Sequence, residues 1–331
     1  MPFTINTAYT LGEVLKAKDP QGRLHHLYDP FMDKRPILEE GFWTTANDPV
    51  YHEMLRVTSR PSGYKTRVNK GYTREGVGTA PHKEQLTSLG SLFELDKRLS
   101  RGVGNIGAWR AQRAQVHIRG MLSNFNRLFW TDANTAADPD AVDGILTRYT
   151  PPTLSAMTAS AYTNVIACDG TVAAECFPVV VVKWGIDGVQ LLNPPGEATT
   201  FVEDDRGEVE LEDADNLPFV GWRSYFTFNY GIGVADDQCV QRLINVEWTD
   251  IKADAHFEEY LIQALEQIPN GLDNTAVYCG RQIHTGIMQR INSKANVNYS
   301  MEQVFARQMP TIMGVPIIRD DALSTAEAVI S

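Results

Sequence analysis

KRLSRGVGNIGAWRAQRAQVHIRGMLSNFNRLFWT, residues 97–131, is the stretch whose reading decides the fold. It carries Lys97, Arg98, Arg101, Arg110, Arg113, Arg119 and Arg127, and no Asp or Glu. Leu99, Val103, Ile106, Trp109, Ala114, Ile118, Met121, Phe125 and Leu128 recur mostly three or four residues apart and make one apolar stripe. Gly102, Gly104 and Gly107 weaken the first turns, so the firm helix is predicted from near Asn105 to about Phe129. About 25 helical residues span roughly 37 Å, enough for a beam across a whole domain.

The chain around this helix is acidic. Its 331 residues, 43% hydrophobic and 21% charged, suit two domains or one elaborated domain with a sizeable core. The net charge is −11, made of +4 over residues 1–150 and −15 over residues 151–331. Halves of opposite sign can attract each other within one chain or between copies, and so acidic a protein is a poor general binder of nucleic acid. MPFTINTAY has no charged region followed by an apolar core, so no signal peptide is expected. The longest apolar run, Phe177 to Val182, is too short to span a bilayer, and a soluble cytoplasmic chain is expected. Cys168, Cys176, Cys239 and Cys279 fit no CxxC or zinc spacing and read as reduced, mostly buried thiols.

Residues 1–46 read as an arm. Thr10 to Lys18 is a short helix candidate, with Thr10 as cap and Glu13 as the capping-box acid. Pro20, Pro30, Phe31, Pro36, Phe42 and Trp43 follow, and they cannot make a core alone, so the arm is expected to lie on another surface. Next come Arg56, Arg60, Lys65, Arg67, Lys70 and Arg74, with no acid between Glu53 and Glu75. Pro61-Ser62-Gly63-Tyr64 is a turn signal, and Arg67 to Lys70 and Leu86 to Leu95 read as extended. The prediction is a long, basic, protruding hairpin packed on a neighbour, the alternative being a disordered basic loop.

From Cys176 to Thr249 the pattern is β. Phe177 to Trp184 is apolar on both faces. Trp222 to Tyr230 and Cys239 to Trp248 alternate and are predicted to pair antiparallel. Between Phe177–Trp184 and Trp222–Tyr230 lies an acidic run with Glu203, Asp204, Asp205, Glu208, Glu210, Glu212 and Asp213, read as a surface hairpin with a carboxylate face. From Ile251 onward, helical stripes alternate with strands at Ala276–Cys279 and Met313–Asp321, a small α/β unit.

No motif assembles a catalytic, cofactor or metal site. Residues 102–107 match G-x-G-x-x-G, but no hydrophobic strand precedes them and no acid follows until Asp132, so they read as a helix-entry loop. His52-Glu53 lacks the second histidine of a zincin, His25 and His26 read as a surface pair, and the remaining histidines are scattered. The acidic run could hold a hard cation but lacks the spacing of a calcium loop, and a solvated face is the favoured reading. Lys65, Lys70 and Lys83 could form covalent cross-links; simple salt bridging is the favoured reading.

The order of parts, a proline- and aromatic-rich arm, an extended loop, a long spine helix, a β platform and an α/β domain, resembles the HK97-like fold of tailed-phage major capsid proteins. Leu92-Phe93-Glu94-Leu95-Asp96-Lys97, Leu128-Phe129-Trp130-Thr131-Asp132, Val142-Asp143-Gly144-Ile145, Lys183-Trp184-Gly185, Asn229-Tyr230-Gly231-Ile232, Arg242-Leu243-Ile244-Asn245-Val246 and Gly314-Val315-Pro316-Ile317-Ile318-Arg319-Asp320-Asp321 are similar to the epsilon15-type capsid family. The resemblance implies an α+β fold with permuted connectivity: an arm over 1–46, an extended loop (E-loop) over 47–96, and the spine helix with the start of the P domain over 97–152. The P-domain platform would follow over 153–250 and the A domain over 251–331.

It also implies a structural protein, not an enzyme, that packs as hexamers and pentamers into an icosahedral virion shell around double-stranded DNA, without reading DNA sequence. Assembly would take place in the host cytoplasm, with portal, scaffolding and decoration proteins as further partners. Arg56, Arg60, Lys65, Arg67, Lys70 and Arg74 would contact the next subunit. The spine arginines Arg110, Arg113, Arg119 and Arg127 would face DNA or pair with acidic surface. An encapsulin-like compartment on the same fold and a soluble α/β enzyme are the alternative readings.

Overall fold

The computed structural model describes residues 34–100, 105–158, 162–196, 201–212, 216–253, 256–292, 299–304 and 307–331. The helix candidate Thr10–Lys18, His25, His26, Arg101, Gly102, Val103, Gly104 and Asp213 lie outside these residues. The chain is α+β. In order it forms α1 (Pro36–Glu40), β1 (Trp43–Thr45), β2 (Tyr51–Ser59), β3 (Gly78–Asp96), α2 (Lys97–Ser100), α3 (Ile106–Thr131) and α4 (Ile145–Arg148). Then come β4 (Val165–Ala167), β5 (Val179–Lys183), β6 (Val189–Asn193), β7 (Phe201–Glu212), β8 (Pro218–Val234) and β9 (Val240–Ile244). It ends with α5 (Trp248–Ala253), α6 (His256–Glu266), β10 (Thr275–Cys279), α7 (Arg281–Asn292), β11 (Tyr299–Val304), β12 (Arg307–Ile312) and β13 (Val315–Arg319).

The strands make two sheets. One has six strands in the order β1-β6-β8-β3-β2, with β7 added on β8; the other has seven, in the order β11-β12-β13-β10-β5-β9-β4. Two compact units share the chain, and each is built on its own core.

The first unit contains Ser88–Arg127 and Ala198–Asn229. The spine helix starts where predicted, because the Asn105 carboxamide oxygen accepts from Ala108 N at 3.1 Å and caps it. Its 26 residues exceed the predicted length slightly. Trp109, Met121 and Phe125 of its stripe are buried. The ring of Trp109 lies 6.1 Å from Phe93 of β3, and that of Phe125 lies 4.9 Å from Phe228 of β8, edge to face. β7 and β8 form an antiparallel hairpin from Phe201↔Phe228 to Glu212↔Pro218, with a bulge between Asp205 and Gly207. Gly207 takes φ +67°, a conformation a β-carbon would strain.

The second unit contains Lys34–Thr87, Leu128–Glu197 and Tyr230–Ser331. Its seven-stranded sheet has β5 near the middle, antiparallel to both β10 and β9. Val179 to Val182 are fully buried, as a strand covered on both faces requires. On one face Val179, Val181 and Leu243 pack with Leu261 of α6 and with Ile283 and Ile287 of α7. Elsewhere in this unit Phe129, Trp130, Trp184 and Tyr278 form an aromatic cluster with centroids 4.8–6.4 Å apart. Its polar ends are satisfied. Trp130 Nε1 donates to Asp320 at 2.8 Å, Trp184 Nε1 to Tyr278 Oη at 2.8 Å, and Tyr278 Oη to Glu40 at 2.9 Å.

One expectation is corrected. Trp222–Tyr230 does not pair with Cys239–Trp248: β8 pairs with β6, β7 and β3, whereas β9 pairs with β5 and β4. Asp236 turns the chain into a 3-10 turn by accepting from Gln238 N at 3.0 Å, and the strand that follows enters the other sheet. Alternation identifies a strand but does not choose its partner. The α/β sheet consequently takes in β4, β5 and β9, which precede residue 250. The end of the arm lies, as its composition requires, on a surface it does not itself make, here in the same chain. Pro36 and Ile37 are buried, and Trp43–Thr45 pairs in parallel with Leu191–Asn193.

Lys183 anchors the turn after α6. Its ammonium donates to the carbonyls of Pro269, Asn270 and Gly271 at 2.7, 3.2 and 2.9 Å. A charged donor shared by three carbonyls is worth about 2 kcal/mol. Lys183→Met should lower stability by about that much in urea unfolding, without changing the secondary structure seen by circular dichroism.

Candidate assembly surface

β2 and β3 form a hairpin, paired from Tyr51↔Gln85 to Val57↔Thr79. Beyond the strands, residues 60–77 are all exposed. They are ordered by their own contacts: Gly63 N donates to Glu75 at 3.0 Å, Thr73 N donates to Tyr64 Oη, and Lys70 N donates to Arg67 O at 3.2 Å. Asn69 closes this turn at φ +63°. The tip holds Arg60, Lys65, Arg67, Lys70 and Arg74 against a single acid, Glu75. Val68 is 93% exposed, Tyr72 85% and, on β2, Leu55 73%. Exposed apolar side chains on such a projection mark a contact surface, and the cations around them favour an acidic partner.

The root of the hairpin is fixed by buried charge. Glu84, on the inward side of β3, receives both guanidinium nitrogens of Arg148, at 2.7 and 2.9 Å. Arg148 also donates to Asp143 O at 2.7 Å and to Ile232 O at 3.2 Å. Burial alone would lower the pKa of Arg148, but Glu84 overrides it and raises it further. Arg56 belongs to this root and not to the tip. It pairs with Asp237 at 3.1 Å and donates to Val234 O at 2.5 Å. Tyr149 Oη donates to the other oxygen of Asp237 at 2.9 Å. The six cations that look equivalent in sequence thus divide into one committed within the subunit and five displayed.

The acidic run is one strand, β7, whose residues Glu203, Asp204, Asp205, Glu208, Glu210 and Glu212 are all exposed. Two of them meet the cations around the spine. Arg110 donates to Asp205 at 2.6 Å and to Ser224 at 3.0 Å, and Lys97 pairs with Glu208 at 2.5 Å. At Asp205 burial raises the pKa, but hydrogen bonds from Gly207 N and Arg110 outweigh it and hold the carboxyl below its usual range. Arg113 lies over the Trp109 ring at 5.2 Å, Arg127 donates to Asn124 at 2.8 Å, and Arg119 is half-buried.

His117, on the same helix, is held between two phenylalanines. Its ring is edge-on to Phe93 at 5.7 Å and stacked on Phe226 at 5.8 Å, with Nδ1 2.7 Å from Ser91 Oγ. Burial, aided by Arg113, lowers its pKa. The unfolded chain therefore takes up the proton first. The stability that neutral His117 confers is present above about pH 6.5 and is lost as pH falls through its lower folded value. Urea midpoints at pH 7.5 and 5.5 should separate in the wild type and converge partly in His117→Gln.

Neither Glu84 nor Arg148 stood out in the sequence. The available signal was parity: Glu84 shares the inward phase of β3 with Leu86, so a buried acid needing a partner was implied.

The sequence model of the family "Major capsid protein GP7" matches residues 19–331. The chain belongs to that family. This capsid protein is similar in fold to the bacteriophage Epsilon15 structure, with a TM-score of 0.73 at 19% identity over 100% of both chains. The bacteriophage JBD30 capsid gives a TM-score of 0.48 at 9% identity, over 88% of this chain and 91% of that one. The SrpI encapsulin of Synechococcus elongatus PCC 7942 gives 0.45 at 10%, over 73% and 97%. No curated protein matches in sequence. The capsid protein is thus a major capsid protein of tailed phages with the HK97-like α+β fold.

Proposed function

We propose that the capsid protein assembles by laying its basic hairpin on the acidic surface of the next subunit, and so packs as hexamers and pentamers into an icosahedral shell around double-stranded DNA. The observation that carries this reading is the tip itself. Five displayed cations and large exposed apolar side chains stand on a rigid root, and six carboxylates stand on β7. Opposite surfaces on one chain bind head to tail, and such heterologous contacts close into rings and shells. Residues 47–96 then act as the E-loop, 1–46 as the arm and 97–152 as the spine with the P-domain start. Residues 153–250 form the platform and 251–331 the A domain, whose sheet borrows β4, β5 and β9.

Arg110 supports a structural role for the spine arginines, because its charge is spent on Asp205 and Ser224. The acidic second half suits a wall past which packaged DNA slides without sequence-specific contact. Assembly takes place in the host cytoplasm, with portal, scaffolding and decoration proteins as further partners. Negative-stain microscopy of the purified protein tests the core of this reading: closed particles of uniform size are expected, and a monodisperse monomer or dimer at high concentration would sink it.

A further inference from the structure

Residues 325–331 belong to neither sheet, and a few hydrogen bonds lay them beside one end of β5 and β9. Glu327 N donates to Cys176 O at 2.9 Å, and Leu154 N donates to Ser331 O at 3.4 Å. The Asn245 carboxamide accepts from Ile330 N and donates to Ile330 O, both at 3.0 Å, as a neighbouring strand does. Asn245 itself takes φ +55° just past β9. This surface strap reaches inward at one residue. Arg242 of β9 is 2% exposed, and Leu243 beside it packs with α6 and α7, so Arg242 takes the other face of the sheet. Its Nη2 donates to Glu327 at 2.6 Å, and its Nη1 donates to Leu146 O at 2.7 Å and to Thr150 Oγ1. A guanidinium buried this deeply needs both sets of acceptors.

The acceptors at Leu146 and Thr150 flank the residues that hold the hairpin. Arg148 binds Glu84 of β3, and Tyr149 Oη donates to Asp237, which pairs with Arg56 of β2. Leu146–Thr150 therefore carries the strap at its ends and both hairpin strands at its centre. The strap makes no hydrogen bond to β2 or β3 among the described residues. All of these residues lie in the second unit.

We propose that strap and hairpin are coupled: docking Glu327 on Arg242 orders Leu146–Thr150 and, through it, the root of the β2–β3 hairpin. Lifting the strap then loosens the hairpin without touching it. Linkage makes the effect reciprocal, so loosening the root also loosens the strap. A strap held by so few bonds sits at the low-stability end of a fold, where local opening is sampled most. The coupling is a property of the single subunit and goes beyond its assembly.

Amide hydrogen exchange on unassembled subunits of the full chain, separated by gel filtration, tests this. Asn245→Gly frees Ile330 and puts a residue at φ +55° that accepts it without strain. Glu327→Gln weakens the contact with Arg242 and preserves the shape of the side chain. In either variant the Leu86 amide, bonded to Val50 O, and the Arg148 amide, bonded to Gly144 O, should exchange about tenfold faster. The His284 amide of α7, bonded to Gly280 O, should keep its wild-type rate. Arg56→Met loosens the hairpin end, and the Glu327 and Ile330 amides should speed up in turn. Acceleration confined to the strap, uniform acceleration through to α7, or a response in one direction only overturns the proposal. If neither strap variant folds, Arg56→Met decides: an Ile330 amide that keeps its wild-type rate overturns the coupling. Shell formation is not read in this experiment, so the coupling and the head-to-tail reading fail separately.

Discussion

Reversing the five displayed cations, in the variant R60E/K65E/R67E/K70E/R74E, is expected to abolish shells while leaving the subunit folded. The five side chains are exposed, and none forms an ion pair within the described residues, so the fold loses nothing that it uses. Each exposed pair across an interface is worth only about 0.2–1 kcal/mol. Five lost together, and replaced by repulsion from β7 carboxylates, exceed what a weak subunit contact can absorb. Arg56 is deliberately left unchanged, because reversing it would break the pair with Asp237 and confound assembly with folding. The check is sedimentation and microscopy beside a thermal melt. Normal shells with an unchanged melt would refute the role of the tip. The wild-type contact should also weaken as salt rises, since exposed charges are screened beyond about 10 Å at 0.1 M.

The second large effect lies at the hairpin root. Arg148→Ala strands the Glu84 carboxylate, which is 5% exposed and otherwise keeps only a 3.0 Å contact with His82 and a long one, 3.4 Å, with Val234 N. Breaking one side of a buried pair costs about 3–5 kcal/mol. At this chain length that corresponds to a fall of roughly 10 °C in the melting midpoint. The double variant R148M/E84M should recover much of the loss, because two apolar side chains leave no buried charge unpaired. A single variant that melts within two degrees of wild type would mean that water enters and solvates Glu84, and the root would not be the rigid base described above.

Some of this was legible in residue order. The spine helix could be read because its apolar period repeats over seven turns, and its start because Asn105 follows a glycine-rich approach. The basic hairpin and the acidic strand could be read because charge of one sign is a local property of a short segment. The strand partners could not. β8 and β9 alternate alike, yet one joins the platform and the other the α/β sheet. That choice depends on how distant segments pack: β5, apolar on both faces, sits inside the covered sheet, and β9 and β10 satisfy its two backbone edges. Arg56 was grouped with the tip cations because Asp237 lies 181 residues away. The Glu84–Arg148 pair spans 64 residues and has no local signature beyond strand parity.

The sequence by itself determined the spine and the polarity of the two halves, since periodicity and charge accumulate residue by residue along the chain, and its motifs and their order carried the resemblance that implied the α+β capsid fold. The tertiary structure alone decided which cations are displayed and which are spent, which strands are neighbours, and which surface segments share the support of α4. Those properties belong to pairs of distant residues, and only packing brings such pairs together.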